Sequence, residues 1–116
     1  MTRIYGIANC ATVKKARQWL AENHVAAEFV DFKKQAPDAA LLQGWLKQIP
    51  LNVLINRKGT TWRKLSADEQ TAAQDADNAV ALMMQYPSVI KRPILVHDDQ
   101  VSAGFDETVY SALFQK

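Results

Sequence analysis

Residues 3–16 read Arg3-Ile4-Tyr5-Gly6-Ile7-Ala8-Asn9-Cys10-Ala11-Thr12-Val13-Lys14-Lys15-Ala16, and this stretch decides the fold. Arg3 to Ile7 is short and apolar enough for a strand. From Cys10 to Asn23, Val13, Ala16 and Leu20 recur at i, i+3 and i+7, which is one face of a helix. Asn9 is the expected N-cap of that helix. Beyond it, the aromatic and β-branched content of Glu28 to Phe32 suits a second strand. Strand, helix and strand in one sheet make a parallel pair with a right-handed crossover.

The middle of the chain, from Pro37 to Tyr86, reads as helical. Leu41, Leu42, Trp45, Leu46 and Ile49 follow Asp38, a possible cap, and Pro50 ends the run. Ser66 and Glu69 have the spacing of a capping box, and Val80, Met83 and Met84 form a further apolar face before Pro87. After Pro93 the pattern changes. Ile94 to His97, the Asp98-Asp99 turn and Val101 to Ala103 read as an antiparallel hairpin. Asp106 then caps a last helix, Phe105 and Tyr110 take the two positions of a hydrophobic staple, and Val109, Ala112 and Leu113 are its expected inner face. A parallel pair, a hairpin and a closing helix are the parts of a thioredoxin-like α/β fold: a four-stranded mixed sheet with a helical insertion. Residues 1–36 and 91–116 would form the core and 37–90 the insertion, all within one domain.

Composition agrees with that size of fold. At 116 residues, 48% hydrophobic and 22% charged, with four Gly and four Pro, the chain suits one globular domain. Roughly two-thirds of its unfolded surface can be buried. No membrane span or cleavable leader is legible, so the expectation is a cytoplasmic protein with no membrane partner. The net charge of +2 is uneven. Residues 1–64 carry eleven Lys and Arg against four acids, whereas residues 65–116 carry three against eight. A nucleic-acid protein is more often basic throughout, and no nucleic-acid partner is expected.

One cysteine excludes an internal disulfide, and His24 and His97, 73 positions apart, have no metal-ligand spacing, so no metal is expected. Cys10 instead lies between a strand and a helix, where free backbone N–H groups and the positive end of the helix dipole favour a thiolate. Lys14, one turn further on, adds cationic charge. The motif Cys10-Ala11-Thr12-Val13 has Val13 where a two-cysteine redox motif has its resolving thiol. A lone activated cysteine needs an external thiol to regenerate it.

Three segments carry a resemblance: Asn9 to Ala16 above, Leu54-Ile55-Asn56-Arg57-Lys58-Gly59-Thr60-Thr61-Trp62-Arg63-Lys64-Leu65, and Pro87-Ser88-Val89-Ile90-Lys91-Arg92-Pro93-Ile94. Together, and in this order over essentially the whole chain, they resemble the ArsC family. That family has a thioredoxin fold with a helical insertion and includes glutaredoxin-coupled arsenate reductases, the Spx transcription regulators and the YffB proteins. Cys-x-Thr-x-Lys-Lys-Ala and Asn-Arg-x-Gly-Thr-Thr-x-Arg-Lys-Leu are most similar to the YffB branch, proposed to be glutathione-dependent thiol reductases.

The resemblance implies that Cys10 is the nucleophile and that Arg57 and Arg92 bind an anion. Asn9, Thr12, Lys14, Lys91 and Pro93 would support them, with a cis Arg92–Pro93 bond facing the cysteine. Arg92 should lie near the sulfur and Arg57 should act mainly on substrate. The family's third arginine is replaced by Phe105, which removes a charged donor and counts against arsenate as natural substrate. The expected function is a thiol–disulfide reductase of glutathione mixed disulfides or a small thiol-reactive or anionic substrate. Glutathione would be co-substrate, glutaredoxin a protein partner, no cofactor would be bound and the chain would be a monomer. Two alternatives remain: arsenate reductase, and an Spx-like regulator binding RNA polymerase, although the Cys-x-x-Cys switch typical of Spx is absent here.

Overall fold

In the computed structural model, which describes residues 1–116, strand β1 (Thr2–Gly6) leads through a turn into helix α1 (Ala11–Glu22) and strand β2 (Glu28–Asp31). Five short helices follow: α2 (Ala39–Leu46), α3 (Leu51–Leu54), α4 (Thr60–Lys64), α5 (Ala67–Ala72) and α6 (Ala76–Gln85). A 3₁₀ turn at Pro87–Val89, strands β3 (Ile94–His97) and β4 (Gln100–Ala103), and helix α7 (Glu107–Phe114) complete the chain. Two units divide it: Met1–Lys34 with Arg92–Lys116, and Gln35–Lys91.

All four strands belong to the first unit and form one sheet in the order β2-β1-β3-β4. Strand β1 pairs in parallel with β2 and antiparallel with β3, which pairs antiparallel with β4. This mixed sheet with its helices is the expected thioredoxin-like α/β fold. Central β1 is buried at Thr2, Ile4, Tyr5 and Gly6, while Arg3 points to solvent beside Glu28 at 3.2 Å. Helix α1 buries Val13, Ala16 and Leu20, as its spacing requires, and Ala16 and Leu20 meet Ile4, Leu95 and Tyr110 in one cluster. Fully burying a residue such as Leu20 contributes about 1.5–3 kcal/mol.

Two features of this unit bear on where α1 starts. Gly6 is one: a Cβ there would stand 2.7 Å from Val13 Cγ2, so only glycine lets β1 and the first turn of α1 approach this closely. The cap is the other. Cys10, not Asn9, is the N-cap residue, and the Lys14 N–H donates to the Cys10 carbonyl at 3.0 Å. Asn9 is an exposed turn residue because the Cys10 N–H already donates to the Ile7 carbonyl at 3.1 Å, which closes the turn one residue later than the sequence suggests.

Helix α7 is capped by Asp106, and Phe105 meets Tyr110 edge-on at 4.9 Å, the staple read from sequence. Its inner face is rotated from the expected one. Val109 is 43% exposed and Ala112 is exposed, while Tyr110 is fully buried and Leu113 and Phe114 pack on the core. Aromatic neighbours decide the phase: Trp19 lies 5.5 Å edge-on to Tyr110, and His97 lies 4.5 Å from Phe114. Burial drives the Tyr110 phenol pKa upward, and its hydroxyl has no hydrogen-bond partner. Thr2 Oγ1 and His97 Nδ1 share a hydrogen bond of 2.8 Å.

In the second unit Asp38, Ser66 and Asp75 cap their helices, and Ser66 and Glu69 form the full reciprocal box. Helix α2 buries Leu42 and Trp45, but ends at Leu46, and Pro50 is the N-cap of α3 rather than only a terminator. Helix α6 buries Ala79, Val80, Leu82 and Met83, and leaves Met84 40% exposed. An antiparallel pairing, not legible in the sequence, closes this unit. Ile55 bridges Ile90, the Asn56 N–H donates to Val89 at 2.8 Å, and the Lys91 N–H donates to Leu54 at 2.7 Å.

Candidate functional site

The Cys10 side chain is half-buried at the start of α1, with its backbone extended (φ −85°, ψ 127°) as an N-cap requires. As a neutral thiol it makes no cap hydrogen bond, since sulfur is a weak acceptor. Its charged form meets a different environment. Burial pushes the thiol pKa up, but the Val13 N–H, the Arg92 guanidinium and the Thr12 N–H together outweigh burial, so the net shift is downward. Orphan amides of the first helical turn thus point at the one atom whose deprotonation they reward.

Arg92, two residues before β3, reaches the sulfur. The next residue, Pro93, is fully buried, joined to it by a cis peptide bond, and its carbonyl accepts from the Gly104 N–H at 2.8 Å. Gly104 has φ 81°, in the region that favours glycine. The backbone on which Arg92 sits is therefore anchored across the hairpin. No three His, Cys, Asp or Glu side chains come together as a metal-binding group.

The first unit thus brings together Cys10, the Thr12 and Val13 amides and Arg92. Thr12 enters through its backbone, its residue being exposed. Lys14 and Asn9 are exposed, and the groups that lower the Cys10 pKa are the two amides and Arg92. Phe105 packs against Tyr110 as part of the aromatic cluster, so α7 starts with a ring where the resemblance would have a cation.

Arg57 and Lys91 belong to the second unit. Lys91 follows the Ile55–Ile90 bridge, and Arg57 leaves the opposite segment of the same pairing. The exposed Arg57 places its guanidinium carbon 5.6 Å from the Trp62 ring centroid. Sequence reading missed two contributors to the Cys10 environment. Val13 reads as part of the buried helix face and as the position of an absent second cysteine, though its amide also favours the thiolate, and Gly6, which lets Val13 approach β1, carries no motif.

Comparison with known proteins agrees with this architecture. The sequence matches the ArsC family over residues 5–113. The chain belongs to the ArsC family. An uncharacterized protein of Haemophilus influenzae is 38% identical over 115 residues, covering 98% of this chain and 99% of its own length. A solved structure named YFFB superposes with a TM-score of 0.93 at 39% identity, covering 97% of this chain and 98% of that one. An arsenate reductase (ArsC) related protein from Brucella melitensis is 43% identical, with a TM-score of 0.74 and coverage of 99% and 95%.

Proposed function

We propose that this ArsC-family protein is a glutathione-dependent thiol–disulfide reductase with Cys10 as its nucleophile. The observation that carries the reading is the placement of Cys10 as the half-buried N-cap residue of α1, where the Val13 and Thr12 amides and the Arg92 guanidinium favour its thiolate. In the first half-reaction the Cys10 thiolate attacks the glutathione sulfur of a mixed disulfide. A Cys10–glutathione disulfide forms, the original S–S bond breaks, and the substrate leaves as a thiolate that takes a proton from water. In the second, the thiolate of a second glutathione attacks the glutathione sulfur of the adduct, releasing glutathione disulfide and restoring the Cys10 thiolate. Two glutathione-derived electrons thus reduce one disulfide. A glutaredoxin in place of the second glutathione is the protein-partner version of the same step.

In this scheme Arg92 holds the thiolate and an anionic group of the substrate, and Arg57 takes a glutathione carboxylate, a role assigned from its place after Leu54-Ile55-Asn56. Asn9, Lys14 and Lys91 would add polar and cationic support, Thr12 its amide, and Pro93 a fixed backbone for Arg92. Alkylation of Cys10 by neutral iodoacetamide, followed against pH, tests the reading. The expected rate profile has its midpoint below the ordinary thiol pKa of about 8.5, and Arg92→Ala moves that midpoint upward. A wild-type profile centred at or above the ordinary value, with no adduct formed from glutathione disulfide, rejects it. Arsenate reduction is the second reading, motivated by the name of the Brucella melitensis relative, and arsenate turnover with glutathione and glutaredoxin decides it.

A further inference from the structure

The second unit contains a built support for Arg57. Asn56 Oδ1 accepts from the Lys58 N–H at 3.2 Å and the Asn56 carbonyl accepts from the Gly59 N–H at 3.2 Å, so the chain turns back immediately after Arg57. Gly59 fits this turn closely, since a Cβ there would lie 3.0 Å from Asn56 Nδ2. Helix α4 starts at the next residue and carries Trp62 back to Arg57, at 5.6 Å from guanidinium carbon to ring centroid. The backbone beneath the ring is tied down in turn. The Trp62 carbonyl accepts from Gln70 Nε2 at 2.9 Å and from the Leu65 N–H at 3.1 Å, which fastens α4 to α5.

The chemistry of the partner matters as much as its position. A carboxylate beside Arg57 would occupy its N–H fork and cancel its charge. No carboxylate of the chain pairs with it. An indole ring attracts the cation through its π face and takes none of the N–H donors, so the guanidinium is held while its charge and fork remain available.

We propose that Trp62 is a positioning residue that holds Arg57 ready for a carboxylate of the substrate. This rests on the anion-binding role given to Arg57 above. The test is steady-state reduction of a glutathione mixed disulfide by wild type, Arg57→Ala, Trp62→Leu and Trp62→Phe, beside alkylation of Cys10 by neutral iodoacetamide. A cation–π contact at an exposed site corresponds to about a two- to fivefold change in affinity. Trp62→Leu is therefore expected to raise KM about two- to fivefold with kcat and the alkylation rate unchanged, Trp62→Phe to restore most of the loss, and Arg57→Ala to raise KM further.

A raised KM in Arg57→Ala with no change in Trp62→Leu overturns the positioning role and leaves the anion-binding role standing. An unchanged KM in Arg57→Ala overturns both. Should Trp62→Leu fail to fold, the unaltered protein supplies the readout: the Trp62 indole N–H resonance is expected to shift on titration with glutathione disulfide while those of Trp19 and Trp45 stay fixed. A silent Trp62 resonance overturns the proposal.

Discussion

Helices α1 and α7 both leave the sheet of the first unit, yet their first turns are treated oppositely. Asp106 caps α7, its carboxylate accepting from the Thr108 and Val109 amides at 2.8 and 3.4 Å. Cys10 holds the same position in α1 and makes no cap hydrogen bond. Among the other helices of eight or more residues, α2 and α6 also have aspartate caps, Asp38 and Asp75. In those three helices the leading amides are satisfied permanently by a group that does no chemistry. In α1 they are kept for a sulfur that becomes a good acceptor only as a thiolate. The difference shows the physical cost of the site: a helix start left under-satisfied so that one ionisation is favoured.

Giving α1 the cap that α7 has is the largest way to break this comparison. Cys10→Asp is expected to abolish thiol exchange entirely while raising unfolding free energy by about 0.5–2 kcal/mol, the range of an N-cap gain. Urea unfolding beside an activity assay checks both, and a destabilised variant would mean that the amides are not available to a capping carboxylate. Next in size is the approach that places α1. Gly6→Ala puts a Cβ against Val13 at 2.7 Å, and since Val13 is fully buried the strain is expected to cost about 1–3 kcal/mol by denaturant titration.

The reverse experiment on α7 is smaller and sharpens the contrast. Asp106→Ala is expected to cost about 1 kcal/mol of stability and to leave the Cys10 alkylation profile untouched. A shifted profile would show that the two helix starts are not independent. The smallest effect is the linkage of stability to pH. Because the folded pKa of Cys10 lies below its unfolded value of about 8.5, the unfolded state binds more protons between the two. Stability from this group should therefore rise with pH across that window, persist above it and be lost as pH falls through the folded pKa. Cys10→Ser, compared with wild type by urea unfolding from pH 5 to 9, should remove the slope, and identical curves would contradict the downward shift.

Local signals in the sequence determined the elements. The spacing of Val13, Ala16 and Leu20, the caps at Asp38, Ser66 and Asp106, and the Asp98-Asp99 turn each act within a few residues, so they are readable one segment at a time. Cys10 was legible as a candidate for the same reason, because a strand-to-helix start is a local event. Tertiary structure decided what such signals leave open. A helical period does not set its phase: Tyr110 and Phe114 turned inward because Trp19 and His97 were there to receive them, and Val109 turned out. Nor does spacing show that Leu54–Asn56 would pair with Val89–Lys91, about 35 residues away, or that a ring five positions on would meet Arg57. Above all, the groups that lower the Cys10 pKa include an arginine 82 positions later in the chain, brought to the sulfur only because β1 and β3 lie side by side in one sheet.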